Sequence, residues 1–188
     1  MRGLRSGLWS TRKAMTESHD CRDLIRLFDD LFAEAHYVRL RGGADEPLYE
    51  PAAGHRPAMI HFRADYFASA LHEVAHWCTA GARRRRLQDY GYWYAPDGRD
   101  ASAQAAFEQA EVGPQALEWL FAEACGYPFR PSLDNLDGGS VSKGRFEAAL
   151  VAERQRRLQR GLPARAEAFR VALTAFYAVP AMRAGGRR

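Results

Sequence analysis

Ala70-Leu71-His72-Glu73-Val74-Ala75-His76-Trp77 is the stretch that decides how the rest of the chain is read. It carries His-Glu-x-x-His in a segment that predicts a helix over about 64–80. Ala64, Ala68 and Ala70 favour helix, Asp65 suits its N-terminus, and Gly81 suits its stop. Residues four apart share one helical face, so His72 and His76 aim two imidazoles the same way. A divalent metal takes two nitrogens from one rigid element at that spacing. Glu73 stands beside the first histidine, placed to serve as a general base toward a metal-bound water.

Catalytic metal sites need a third protein ligand and an open position. Residues 101–112 read as a second helix, with Ala101, Ala105 and Phe107 toward the core. Glu108 and Glu111 are three apart and share a face. Either can fold back onto the histidines; Glu111 is preferred, with Glu108 as the alternative or a supporting group. Gly113-Pro114 predicts a break, with Pro114 opening a new helix that runs to Cys125. Leu117, Trp119, Leu120 and Phe121 form its apolar body.

The remaining elements frame this pair. Leu24, Leu27, Phe28, Leu31 and Phe32 recur at spacings of three and four, an amphipathic helix over 20–36. Tyr37 to Leu40 alternates like a strand that ends at Gly42-Gly43. Leu48-Tyr49, between Pro47 and Pro51, is at most an edge strand. Residues 58–62 predict another strand, whose His61 reads as a structural or substrate-contacting group. A loop is expected over 130–144, then helices over 145–160 and 163–177, separated by Gly161. The fold class expected is α+β. It is a mostly helical single domain over 17–180, with a small sheet beside a zincin-like helix carrying the two histidines. Residues 1–16 hold four basic residues and no acid. They read as a disordered extension, either a transit-type leader or the result of an early start ahead of Met15. Residues 181–188 read as a flexible basic tail.

A chain of 188 residues with 47% hydrophobic content can build a real core. No apolar run approaches about 18 residues, so no membrane span is expected. The net charge of +4 favours an acidic partner. Cys21, Cys78 and Cys125 lack metal-type spacing and read as free thiols of a reducing cytoplasm, with Cys78 in the core. Arg83, Arg84, Arg85 and Arg86 form either a solvated face or a docking run for an acidic macromolecule. Tyr92, Trp93 and Tyr94 lead into a Pro96-Asp97-Gly98 turn. They read as a core strand, or as aromatic faces for a cationic substrate with Asp97 and Asp100 as the nearest carboxylates.

Four stretches, ALHEVAHWCTAG (70–81), DYGYWYAPDGRD (89–100), FEQAEVGPQALEWLF (107–121) and GYPF (126–129), together resemble the bacterial elongation factor P hydroxylase family. The likeness covers about Thr16 to Pro180. It implies hydroxylation of elongation factor P on a lysine that already carries a β-lysyl group. It also implies a metal held by His72, His76 and Glu111 (or Glu108). The expected metal is Fe(II), with O2 as co-substrate and Glu73 orienting water or passing protons. Tyr92, Tyr94, Asp97 and Asp100 would meet the two ammonium groups of the substrate, since a buried unpaired charge is costly. Arg83 to Arg86 would dock the acidic protein partner. A cytoplasmic monomer is expected, with no direct nucleic-acid or membrane contact. Two other readings stay open: a zinc metallopeptidase in which Glu73 activates water, and a binding module with a closed structural metal site.

Overall fold

Asp20 caps the first helix. Its carboxylate accepts the Arg22 N–H at 2.8 Å, and α1 then runs Cys21–His36. Leu24, Phe28 and Phe32 are buried along one face, with Leu27 and Leu31 half-buried beside them. The computed structural model describes residues 19–91, 101–132 and 139–178, without side chains at 101 and 139–142. The expectations for 1–16, Met15 and 181–188 lie outside the described residues, as do Tyr92, Trp93, Tyr94, the 96–98 turn, Asp97 and Asp100.

Tyr37 turns left-handed, φ 51°, and feeds α1 straight into β1, Val38–Ala44. The strand does not end at Gly42-Gly43 as expected but runs through both glycines. A Cβ on Gly42 would sit 2.7 Å from the Phe62 ring and 2.9 Å from the Asp65 carboxylate, so glycine here permits close packing. β2 is Leu48–Glu50 and β3 is Ala58–Arg63. Their order is β1-β3-β2, with β1 parallel and β2 antiparallel to the central β3. Val38, Leu40, Tyr49, Ala58, Ile60 and Phe62 bury one face of the sheet. Both sheet edges are met by aspartates. Asp29 accepts the Leu40 N–H at 3.2 Å and Asp89 accepts the Tyr49 N–H at 2.8 Å.

α2 spans Phe67–Thr79, three residues shorter at its start than expected. Ala64 is left-handed, φ 45°, which keeps it out of the helix. Asp65 is not the cap; its carbonyl instead accepts the Cys21 thiol, and Tyr66 occupies the cap position. Ala80 turns extended before Gly81, so the glycine is not what stops the helix. Arg165 donates to the carbonyls of Trp77, Cys78 and Ala80 at 2.9–3.1 Å, while its guanidinium lies 4.7 Å from the Trp77 ring.

α3 is one helix, Ala101–Cys125, where a break at Gly113-Pro114 was predicted. An internal proline costs on the order of 3 kcal/mol. Pro114 is buried, Gly113 lies against Arg157, and both halves pack on neighbouring helices, so tertiary contact overrides local preference. Ala105 is exposed, contrary to expectation, while Phe107 is buried. The helix ends at Gly126, φ 69°, where Tyr127 N–H reaches the Ala122 carbonyl at 2.8 Å. α4, Gly139–Arg160, begins earlier than the predicted 145, and α5 is Ala164–Tyr177. Phe28, Trp77, Phe121 and Phe169 meet where α1, α2, α3 and α5 converge. The outcome is a mostly helical α+β fold with a three-stranded sheet. No helix among the described residues is long and apolar enough to cross a membrane.

Candidate metal centre

α2 is apolar on nearly every side, and Ala70, Leu71, Val74, Ala75, Trp77 and Cys78 are buried around it. Such a helix belongs at the centre of a fold. It presents His72 and His76 toward α3, which packs alongside. The two Nε2 atoms stand 3.0 Å apart. Glu111 of α3 completes the triangle, with Oε2 3.4 Å from His72 Nε2 and Oε1 3.3 Å from His76 Nε2. One ligand atom from each residue lies within 4.8 Å of the others. Glu108, the alternative, instead accepts from Gln104 Nε2 at 3.2 Å on a half-exposed part of the helix.

Supporting groups follow along α3. Glu118 sits two turns beyond Glu111, where its Oε2 accepts the His72 Nδ1–H at 2.8 Å. That bond commits Nδ1 to Glu118 and turns Nε2 toward Glu111 and His76, where an ion replaces its proton. Gln115 lies between the two glutamates and donates to Glu111 Oε2 at 3.3 Å. Gln115 is itself pinned by the Ser132 carbonyl at 2.8 Å and the Ser132 N–H at 3.0 Å. Sequence reasoning missed both Glu118 and Gln115. The available signal was their spacing of four and seven from Glu111, which places all three on one stripe.

The electrostatics favour a cation. Glu73, Glu111 and Glu118 are 9%, 5% and 7% exposed. Three buried carboxylates around two imidazoles cannot all be balanced by those imidazoles. Burial acts to lower the His72 pKa, but the Glu118 hydrogen bond and the charges of Glu118, Glu111 and Glu73 hold it up at about 10. Burial acts to raise the Glu111 pKa, but His76, His72 and Gln115 bring it down to about 2. Glu73 goes the other way. Burial is the largest influence there and raises it, against the pull of the histidines. Atoms 3.0–3.4 Å apart can each reach one ion at roughly 2.0–2.2 Å. Converging lone pairs, excess buried negative charge and bond-length spacing fit a divalent metal. Two histidines and a carboxylate leave positions free for substrate or water.

The centre opens into a cleft of about 820 Å³. Its lining includes His72, Glu73, Glu111, Gln115 and Glu118, together with Tyr66 and Tyr127. That volume is in the range of small-molecule and side-chain pockets. His61 lies elsewhere, paired with Glu50 at 3.0 Å, which is a structural contact. Cys78 is buried away from the ligands, and all three cysteines are free. Within the basic run, Arg84 Nε donates to the Tyr90 carbonyl and Arg85 to the Ala80 carbonyl, while Arg83 and Arg86 are exposed.

The helical frame and the donor set define a protein with a two-histidine, one-carboxylate centre at the base of a cleft. Residues 27–185 match the model of the family described as elongation factor P hydroxylase. A protein of Haemophilus influenzae named elongation factor P lysine hydroxylase is 46% identical over 160 residues, covering 85% of this chain and 90% of that protein. The chain belongs to the elongation factor P hydroxylase family.

Proposed function

We propose that this chain hydroxylates elongation factor P on its β-lysylated lysine, at a ferrous centre held by His72, His76 and Glu111. The carrying observation is the convergence of those three side chains at the base of an open cleft, in a chain of this family. Iron bound there would supply the activation of O2 that a C–H hydroxylation needs. The chain's own residues do the rest. Glu118 holds His72 in the tautomer that frees Nε2, and Gln115 holds the Glu111 carboxylate in place. Glu73, buried in the cleft wall next to the ligands and raised in pKa, can hold a proton there and pass it on. Packing of α2 on α3 holds the two histidines against Glu111.

Tyr92, Tyr94, Asp97 and Asp100 remain the proposed partners of the substrate's ammonium groups. Docking of the acidic partner falls to Arg83 and Arg86, since Arg84 and Arg85 are engaged by their own chain. The test combines anaerobically Fe(II)-loaded protein with lysylated elongation factor P, admits O2, and weighs the product. A gain of one oxygen atom is expected. An unchanged mass with metal fully loaded would reject the assignment, and cleavage of a peptide library by the zinc-loaded protein would favour a peptidase.

A further inference from the structure

Asp89, Tyr90 and Gly91 hold three consecutive positive φ angles, 46°, 59° and 71°. Glycine enters that region freely, whereas tyrosine does so against steric resistance. Such strain persists only where the surroundings over-determine it. Here Asp89 Oδ1 accepts the Tyr49 N–H at 2.8 Å, and Arg84 Nε donates to the Tyr90 carbonyl at 3.0 Å. The Tyr49 ring stacks on Tyr90 with centroids 4.2 Å apart.

The strained turn delivers one side chain to the metal centre. The Tyr90 ring runs parallel to the His76 imidazole, 7° between planes and 6.2 Å between centres. The two histidines are otherwise held unequally. His72 is fixed through Nδ1 by Glu118, but among the described residues nothing hydrogen-bonds His76 Nδ1. Metal-binding imidazoles are ordinarily oriented through that second nitrogen. For His76 the flat neighbour takes over that task.

The hydroxyl adds a second, independent observation. Tyr90 is 4% exposed, and among the described residues its buried phenol oxygen has no hydrogen-bond partner. Phenylalanine would fill the same space without stranding a polar atom. Burial, and after it the carboxylate of Glu73, pushes the phenol pKa well above its ordinary value.

We propose that Tyr90 is a positioning residue of the metal centre: its ring sets the plane of His76, and its buried, unpartnered hydroxyl is a hydrogen-bond donor kept for the reaction. The inference rests on the two-histidine, one-carboxylate reading of the site. It is tested with the full chain by Co(II) titration and visible spectra, with melting curves and kinetics on lysylated elongation factor P. Tyr90→Leu is expected to weaken Co(II) binding tenfold or more and to change the ligand-field bands. Tyr90→Phe is expected to bind Co(II) like the parent, to melt higher without metal, and to lose at least tenfold in kcat with KM unchanged. Should Tyr90→Leu fail to fold, Tyr90→Met against Tyr90→Trp puts the same question of a flat ring. Parental affinity and bands without a ring at position 90 would overturn the ring's role, and parental kcat in Tyr90→Phe would overturn the hydroxyl's. Cobalt binding needs no turnover, so the ring arm is decided separately from the proposed reaction. A parent chain that takes up no cobalt would instead reject the metal centre itself.

Discussion

Glu118 holds the far nitrogen of His72, and the site depends on it. Without that acceptor, the imidazole is free to flip or change tautomer. Glu118→Ala is expected to lower metal affinity about 10–100-fold, and Glu118→Gln, which keeps an acceptor, to recover most of it. Competition with a coloured chelator measures both. Proton linkage gives a second check. In ion-free protein the His72 pKa stands at about 10, above its usual 6.5, so that imidazolium stabilises the fold fully below 6.5 and the contribution is lost as pH rises through about 10. Glu111, depressed to about 2, stabilises above its usual 4.5 and is lost as pH falls through about 2. An incoming ion must displace the His72 proton, so between these limits affinity should climb with pH and roughly one proton should leave per ion bound. Calorimetry in buffers of different ionisation enthalpy counts that proton. His72, His76 and Glu111 were legible because helical spacing alone brings the first two together and one of two candidate acids had to return. Glu118 went unseen because nothing local marks a glutamate two turns further on as facing inward.

At the level of elements, the helix that carries the histidines was legible, but what secures its end was not. Arg165 lies 88 positions beyond Trp77 and reaches three carbonyls at the C-terminus of α2. No pattern in either segment announces the other. Removing it strands those carbonyls and uncovers Trp77. Arg165→Met is expected to cost about 1.5–3 kcal/mol in denaturant unfolding, with Arg165→Lys recovering little, since an ammonium cannot bridge three acceptors and stack as well. α3 shows the opposite error. Gly113-Pro114 looks like punctuation, but both halves of the helix have neighbours to pack on, and local preference yields. The unbroken helix keeps Glu111, Gln115 and Glu118 on one rigid stripe. A real break at Pro114 would have separated the ligand from its supports.

For the molecule as a whole, the sequence indicated a helical α+β domain with a small sheet, and the strand order followed only from the coordinates. Arg39 already pairs with Asp29, and Arg154 with Glu123, so much of the basic surface is internally matched. Arg83 and Arg86 are exposed. If they steer an acidic partner, KM for elongation factor P should rise with ionic strength while kcat holds, and Arg83→Glu with Arg86→Glu should raise KM and flatten that salt dependence. Steady-state kinetics across a salt series reads this directly. The aspartate at position 89 links two matters that look separate. The oxygen that occupies the outer amide of Tyr49 also anchors the contorted turn beside His76. Breaking that single bond would bare a strand margin to which another chain can add, and would slacken one wall of the ion's cage at the same moment. Clumping and loss of metal should therefore arrive together, as one failure.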